Sequence, residues 1–426
     1  MIERKKYLEQ LLNKKDNHLI KVITGVRRSG KSYLLFNLYK QKLLDLGVSS
    51  DHIICIQLDD TDFLAYRNPL KLGEYIRSQI KDNLNYYVFI DEIQFCKKVK
   101  NPYVENDSVS FYEVLNGLLK HENVDTYVTG SNSKLLSSDV LTEFRGRGDE
   151  IHVRPLSFKE FYDYKKGDFE DLLSEYLMYG GMPYVQLLKS DIEKTKYLTS
   201  LFDEIYLKDI LERYSLKSEK ELDTLVNVLA SAIGSFTNPS KISATFKSKS
   251  NLIYSQKTIA NHIGFLKDSF IISETLRYDV KGRKYIGANS KFYFVDTGLR
   301  NAKIGFRQFE ITHLMENLIY NELLVRGFQV DVGIVEDYSK INGKSQRKQL
   351  EVDFIAKKGN QTYYIQSAYK LDSIEKEHQE KASLLAIHDS FQKIIITYDR
   401  IPRHYDDNGF LRLSLKDFLL NDSFFP

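Results

Sequence analysis

Gly25-Val26-Arg27-Arg28-Ser29-Gly30-Lys31-Ser32 matches the full pattern G-x-x-x-x-G-K-[ST], and the fold class follows from this segment. Residues 19–24 before it form a short apolar run that predicts a buried strand, and residues 33–39 after it have helical apolar spacing. Strand, loop and helix thus occur in the order that a phosphate-binding loop requires. A chance turn of Gly, Ser and Lys is the alternative, but it rarely combines four fixed residue types with this context.

The residue types of this loop suit a nucleoside triphosphate, and we expect ATP with Mg²⁺. Gly25 and Gly30 let the backbone turn its N–H groups towards the phosphates, where the amino end of the following helix adds partial positive charge. We expect Lys31 to reach the β- and γ-phosphates and the Ser32 hydroxyl to ligate Mg²⁺. The other predicted nucleotide-binding positions of the loop are Val26, Arg27, Arg28 and Ser29.

A second motif consists of the apolar run 86–90 followed directly by two acids, Asp91 and Glu92. In a phosphate-loop protein, Asp91 would hold the Mg²⁺ shell, and Glu92 would orient and activate the attacking water. Two adjacent acids could instead cap the next helix. The preceding phosphate loop favours the catalytic interpretation.

Two further segments supply candidates near the γ-phosphate. Residues 126–132 predict a strand with a polar end, so that Asn132 or Ser131 could sense the γ-phosphate; a plain Gly-Ser-Asn turn is an equal alternative. Arg147, in an Arg-Gly-Arg-Gly run, could contact the γ-phosphate in cis or in trans, or lie in a solvated turn.

Another apolar run, residues 53–58, lies between the two nucleotide motifs along the chain. We interpret it as the inserted strand that is typical of ATPases whose catalytic Glu follows the magnesium Asp. Open α/β sheets bind their ligands at the switch point of strand order, which is where the phosphate loop would then lie.

The composition is that of an ordinary globular chain of 426 residues, for which two to four domains are expected. The 61 Lys and Arg nearly balance the 58 Asp and Glu, which argues against a histone-like polycation. Two cysteines cannot build a disulfide framework, and no Cys/His spacing suits zinc. With no apolar run of membrane-spanning length and no signal-peptide pattern, we expect a cytoplasmic protein without membrane association.

Six segments give the chain a resemblance to bacterial and archaeal AAA-type (AAA_14) ATPases that carry a C-terminal domain of unknown function, DUF4143. The segments are GVRRSGKS (25–32), FIDEIQ (89–94), TGSNS (129–133), PLSFKEF (155–161), GGMP (180–183) and KFYFVDTGLR (291–300). The last two are more family-specific than a phosphate loop.

The resemblance implies an α/β protein with four parts. It implies an AAA-like P-loop NTPase domain with a parallel sheet at 1–156, a helical lid at 157–220, a winged helix at 221–286 and a DUF4143 domain resembling PD-(D/E)XK nucleases at 287–426. Within the lid, residues 180–183 are a hinge or a structural turn. Homo-oligomers are common among AAA proteins, and no residue decides this state.

Residues 254–267 predict the recognition helix of the winged helix, with Ser255 as its N-cap. Ile259, Ile263 and Leu266 form its apolar stripe, which predicts that the polar residues Gln256, Lys257, Asn261 and His262 face outward. Basic residues surround this helix in sequence: Lys241, Lys247, Lys249, Lys281, Arg283 and Lys284. Double-stranded DNA is the expected partner, and a protein-binding winged helix is the alternative.

The C-terminal region predicts a helix at 312–326 and strands at 329–335, 350–356, 362–367 and 393–397. Glu316 and Asp353 match the first two acids of the nuclease pattern. The third acid is replaced by Gln366, and the usual lysine by Ala368, with Lys370 two residues further on. This departure argues against metal-dependent cleavage. The alternative is a retained binding or assembly fold, in which Glu316 and Asp353 form a salt-bridged or hydrogen-bonded remnant.

The sequence therefore predicts an Mg²⁺-dependent ATPase whose nucleotide state changes the placement of its lid and C-terminal modules. Two alternatives remain open. One is an ATP-gated nuclease that uses Glu316 and Asp353, and the other is a slow nucleotide switch that captures DNA or a protein partner.

Overall fold

The computed structural model describes residues 2–130, 144, 146–216, 218–250, 254–341 and 344–421. The chain forms two compact units, Met1–Pro155 with Asp268–Phe270, and Leu156–Lys267 with Ile271–Pro426. Within the described ranges, every helix is too short or too polar to cross a membrane. The finer division of residues 157–426 into three parts stays a prediction.

The first unit is built on a parallel sheet. Its described strands are β1 Ile20–Thr24, β2 Ile53–Gln57, β3 Tyr86–Asp91, β4 Val99–Lys100, β5 Ser108–Val109, β6 Val124–Thr129 and β7 Gly148–His152. Five of them run parallel in the order β2-β3-β6-β1-β7, and β4 pairs antiparallel with β5. β6 therefore lies between β1, which precedes the phosphate loop, and β3, which ends in the acidic pair. The strand predicted at residues 53–58 is present as β2, but its interpretation as the inserted strand was wrong, because β2 lies at the edge of the sheet.

Alternate residues of the central strands pack on opposite faces of this sheet, as the pleat requires. On one face, Val88 and Ile90 join a buried cluster with residues of two helices, Pro69–Gln79 and Phe111–Leu118. On the other face, Phe89 packs against helix Lys5–Asn13 and the helix that follows the phosphate loop. The latter consists of Lys31–Tyr33, a π-helical stretch Leu34–Tyr39 and Lys40–Asp45. Shorter 3₁₀ turns are Ser50–His52, Thr61–Arg67 and Ile93–Phe95.

The second unit starts with helices, as predicted for residues 157–220. The described helical segments up to the next strand are Phe158–Lys165, Phe169–Tyr179, Pro183–Leu187 (3₁₀), Asp191–Ser200, Leu201–Leu207 (π), Lys208–Arg213, Glu219–Ser231, Pro239–Ser250 and Gln256–Asp268. The apolar residues that predicted these helices are buried, for example Leu173 and Phe202. Ser255 accepts a hydrogen bond from the Thr258 N–H (3.0 Å), so its prediction as N-cap is confirmed.

An eight-stranded mixed sheet completes the second unit. Its strands are β8 Ile272–Asp279, β9 Lys284–Phe294, β10 Gln329–Ile341, β11 Lys344–Lys358, β12 Gln361–Ala368, β13 Gln392–Thr397, β14 His404–Tyr405 and β15 Leu411–Ser414. They lie in the order β14-β15-β13-β12-β11-β10-β8-β9. The helices between and after them are Thr297–Lys303, Ile311–Val325, Ile374–Leu385 and Leu415–Leu420. The helix and four strands predicted for the C-terminal region are thus present, and hairpin β8–β9 belongs to the same sheet.

Two motifs that are distant in sequence, 180–183 and 291–300, meet in this unit. The Asp296 carboxylate accepts hydrogen bonds from the N–H of Gly181 (2.6 Å) and of Leu299 (3.0 Å). A Cβ on Gly180 would lie 2.1 Å from Asp296 Oδ1, and one on Gly298 would lie 2.1 Å from the Tyr179 carbonyl oxygen. Residues 180–183 are therefore a tightly packed turn, and the alternative of a hinge loses support.

Candidate active site

The phosphate loop adopts a backbone that requires glycine. Gly25 has φ +137°, and a Cβ there would lie 2.0 Å from the Val153 carbonyl oxygen. Gly30, with φ +93°, immediately precedes the helix that begins at Lys31. The two glycines therefore bracket a loop that turns between β1 and the amino end of this helix, where anions are favoured.

The Lys31 side chain is buried inside this loop. Its ammonium group donates hydrogen bonds to the carbonyl oxygens of Gly25 and Val26, both at 3.0 Å, and only 4% of the residue is exposed. Burial lowers the pKa of Lys31 to about 8, although the nearby carboxylates of Glu92 and Asp91 favour the charged form. The cation that would stabilise phosphates thus lies at the loop, next to the acidic pair.

The two predicted Mg²⁺ ligands, Ser32 and Asp91, lie within hydrogen-bonding distance of each other. The Asp91 carboxylate accepts hydrogen bonds from the hydroxyls of Thr129 and Ser32. Burial raises the pKa of Asp91, whereas these two hydroxyls and Lys31 lower it. A hydroxyl and a carboxylate are hard oxygen ligands of the kind that Mg²⁺ prefers.

Glu92 occupies a strained backbone position directly after β3. Its φ is +50°, in the left-handed region that non-glycine residues rarely adopt outside turns and functional sites. Its N–H donates to the Thr129 hydroxyl (3.1 Å), and its carboxylate accepts a hydrogen bond from the Gln94 amide. Burial raises the pKa of Glu92, and the nearby Lys31 opposes this shift.

The loop residues without a side-chain role in the motif differ in exposure. Val26 and Ser29 are buried, whereas the side chains of Arg27 and Arg28 are exposed. The Ser29 hydroxyl oxygen makes no hydrogen bond to any described residue. A buried donor that is unused within the loop fits a site built for a polar ligand.

Thr129 is the functional residue that sequence analysis did not identify. Its hydroxyl donates to Asp91 and accepts from the Glu92 N–H, so that it orients both acids from the neighbouring strand β6. The polar end of this strand predicts Asn132 or Ser131 as the sensor, and both lie outside the described residues. A Thr at the end of an apolar strand beside an acidic pair was the available signal.

Arg147 lies too far from the phosphate loop for its side chain to contact the γ-phosphate bound by the same chain. Its carbonyl oxygen accepts from the Ile20 N–H (2.9 Å) at the start of β1, whereas the loop begins after the end of β1. Five residues of strand separate these points by roughly 16 Å. The contact in cis was therefore wrong, and the contact in trans stays a prediction.

The predicted recognition helix presents its polar residues only in part as expected. Gln256, Lys257 and Asn261 are exposed. His262 is buried at 5% exposure and hydrogen-bonds through Nδ1 to the Tyr254 hydroxyl, so its assignment to the outer face was wrong. The nearby basic residues that are exposed are Lys241, Lys247, Lys281, Arg283 and Lys284, while the Lys249 side chain lies outside what the structure describes.

The predicted nuclease acids form a second charged cluster. Lys291 of β9 makes ion pairs with Glu316 (2.7 Å) and with Glu351 (2.5 Å), and the Asp353 carboxylate accepts from the Ser367 N–H (2.7 Å). Burial raises the pKa of Asp353 well above its ordinary value, and the Glu316 carboxylate adds to this shift.

Three kinds of comparison identify relatives. A family model described as an AAA domain matches residues 17–162, and one described as a domain of unknown function, DUF8612, matches residues 170–310. The name DUF4143 is thus not confirmed for the later part. Among solved structures, a Walker-type ATPase of Pyrococcus abyssi aligns over 71% of this chain and 96% of its own, with 15% identity and a TM-score of 0.47.

Two relatives match nearly the whole chain. An uncharacterized protein of Haemophilus influenzae is 36% identical over 403 residues, which cover 93% of each chain. An uncharacterized protein of Methanocaldococcus jannaschii is 30% identical over 420 residues, which cover 93% of this chain and 85% of the relative. Residues 17–162, which match the AAA domain model, contain the parallel sheet and phosphate loop of a P-loop NTPase, and the chain belongs to one family with these two proteins.

Proposed function

We propose that this protein binds ATP with Mg²⁺ and hydrolyses the γ-phosphate. The supporting observation is the convergence of four side chains from two segments: Lys31 and Ser32 at the end of the phosphate loop, and Asp91 and Glu92 at the end of β3. Chance placement would not bring a buried ammonium, a hydroxyl, a buried acid and a half-buried acid to the carboxyl ends of parallel strands.

Each side chain has a role in this proposal. Lys31 stabilises the phosphate oxygens, Ser32 and Asp91 would hold Mg²⁺, and Glu92 accepts a proton from the attacking water. Mg²⁺, when bound with ATP, neutralises phosphate charge. Thr129 keeps the acids in place, Asn132 stays the candidate sensor, and Arg147 the candidate finger in trans. The match of residues 17–162 to the AAA domain model also supports ATP binding and hydrolysis.

Nucleotide affinity tests the binding half of the proposal. Lys31→Ala removes the buried ammonium, so we expect the affinity for a fluorescent ATP analogue with Mg²⁺ to fall by about tenfold or more, the loss of a charge-assisted contact. Lys14→Ala is the matched control, since Lys14 also lies in the first unit but pairs with Asp149. Equal ATP affinity in Lys31→Ala and Lys14→Ala would contradict the assignment of the loop.

Double-stranded DNA is the partner that we propose for the second unit. The supporting observation is the exposure of Lys257 and Asn261 on helix Gln256–Asp268 and of Lys281, Arg283 and Lys284 at the turn of hairpin β8–β9. A helix with exposed polar residues and a basic hairpin is the composition of a winged helix that contacts phosphates.

A further inference from the structure

The charged cluster of the second unit contains Glu316 and Asp353, the two acids that match the nuclease pattern in the sequence. Glu316 lies on helix Ile311–Val325 and Asp353 on β11. Glu351 lies two residues before Asp353, so both side chains leave the same face of the strand. Three carboxylates therefore face one region, and such a group normally needs a cation.

Lys291 supplies this cation. Its ammonium nitrogen lies 2.7 Å from Glu316 Oε1 and 2.5 Å from Glu351 Oε1, and its residue is 3% exposed. These distances are those of charge-assisted hydrogen bonds, which occupy one oxygen of each glutamate. A divalent cation beside this ammonium would suffer like-charge repulsion at close range in a buried setting.

The surroundings hold Lys291 in this position. The Tyr293 hydroxyl donates to Glu316 Oε1 (2.6 Å), and the Phe236 ring lies 5.6 Å from the Lys291 nitrogen in a cation–π contact. On the other side of Glu316, Gly234 approaches so closely that a Cβ there would lie 2.9 Å from Oε2. These contacts therefore hold both Lys291 and Glu316 in place.

The remaining nuclease positions do not restore a metal site. The Gln366 amide donates to Glu380 (3.2 Å) on helix Ile374–Leu385, and Lys370 is exposed beyond the end of β12. Among the residues that the structure describes, no three His, Cys, Asp or Glu side chains are placed to hold a metal ion.

We propose that the Lys291 ammonium is the resident cation of the Glu316–Glu351–Asp353 cluster, which therefore takes no Mg²⁺ and does not cleave nucleic acid. The cluster instead joins β9, helix Ile311–Val325 and β11 through buried charge. A nuclease that uses Lys291 as its catalytic lysine beside a metal ion is the competing explanation. This proposal does not depend on ATP hydrolysis by the first unit.

Metal binding by the full-length protein, measured without nucleotide by Mn²⁺ electron paramagnetic resonance, separates the two explanations. We expect Asp353→Asn to leave Mn²⁺ binding as in the wild type, and we expect intact plasmid DNA with Mn²⁺ in both. Mn²⁺ binding or plasmid nicking by the wild type that disappears in Asp353→Asn would overturn the proposal.

A second variant tests the role of the ammonium directly. Lys291→Met keeps the length of the side chain but removes its charge, which leaves Glu316 and Glu351 without their cation. We expect the thermal unfolding midpoint of Lys291→Met to fall below that of the wild type, and we expect the further change Glu316→Gln to restore part of this loss, because it removes one of the uncompensated charges. A folded Lys291→Met with the wild-type midpoint would contradict the cation role, and if it does not fold, Asp353→Asn alone decides.

Discussion

At the scale of single residues, one hydroxyl contacts both acids of the proposed catalytic site. Thr129 is fully buried, donates to Asp91 and accepts from the Glu92 N–H, and so holds both acids in register with β6. Without it, the Glu92 N–H would lose its partner at a backbone position that is already in the left-handed region. We infer that Thr129 is a positioning residue of the active site.

Thr129→Val tests this role because it replaces the hydroxyl by a methyl group of similar size. We expect ATP turnover to fall about 10- to 100-fold while ATP affinity changes little, since the acids and not the phosphate loop lose their support. Thr126→Val is the matched control: it lies on the same strand, and its buried hydroxyl oxygen makes no hydrogen bond within the described ranges. Equal turnover in the two variants would exclude the positioning role.

At this scale, sequence patterns predict the residues of local motifs and miss residues whose partners lie far away along the chain. Lys31, Ser32, Asp91 and Glu92 were predicted because each motif is local and fixes its own residue types. Thr129 was missed because its contacts with Asp91 and Glu92 join strands that pair only in the fold.

The spacing of residues along a helix or strand was a further sequence signal for His262, Glu351 and Asp353. His262 lies three residues after Ile259 and four before Leu266, so helical spacing alone placed it on the buried stripe, although its polar type suggested the outer face. Glu351 and Asp353 are two apart on a predicted strand, which puts them on one face. Lys291 gave no such signal, because its two acidic partners lie 25 and 60 residues further along the chain.

At the scale of elements, a contact between residues 180–183 and 295–301 holds helix Phe169–Tyr179 against the segment that follows β9. Asp296 accepts from the N–H groups of Gly181 and Leu299, while the Thr297 hydroxyl and the Asn301 amide donate to carbonyl oxygens at the end of helix Phe169–Tyr179. These bonds satisfy the last carbonyls of that helix, which would otherwise be buried without partners. The two motifs therefore act as one structural joint.

The pH dependence of stability tests this joint. Burial raises the pKa of Asp296 from 3.8 to about 6, although three backbone N–H groups oppose the shift. Because the folded value is the higher one, the stabilisation is complete below pH 4 and is lost as the pH rises through 6. The total is on the order of 3 kcal/mol for a shift of about two pKa units.

We expect Asp296→Asn to remove this part of the pH dependence and also to lower the unfolding midpoint, because an Asn side chain can accept only one of the two N–H bonds. Thermal unfolding between pH 4 and 7 is the measurement. Asp372→Asn is the control, since Asp372 is exposed in the same unit. The account of the joint fails if Asp296→Asn and wild type show the same pH profile.

At the scale of the whole molecule, the proposed ATP hydrolysis by the first unit and the proposed DNA contact by the second unit make a joint prediction. If DNA is the effector, double-stranded DNA should raise the rate of ATP hydrolysis, and this stimulation should fade as salt increases from about 50 to 200 mM. Lys257→Ala and Arg283→Ala should weaken the stimulation and leave hydrolysis without DNA unchanged. Hydrolysis that is indifferent to DNA at all salt concentrations would favour a protein partner instead.

The assignment of Glu92 as the catalytic base is tested most directly by the rate of phosphate release at saturating ATP and Mg²⁺. The variant Glu92→Gln is compared with Glu105→Gln. Both changes remove one negative charge from the first unit, but Glu105 is exposed whereas Glu92 is held by Thr129 and Gln94 beside Lys31. We expect Glu92→Gln to retain ATP affinity and to lose turnover by about 100-fold or more, while Glu105→Gln keeps the wild-type rate. Wild-type turnover in Glu92→Gln would contradict the assignment of Glu92 as the catalytic base.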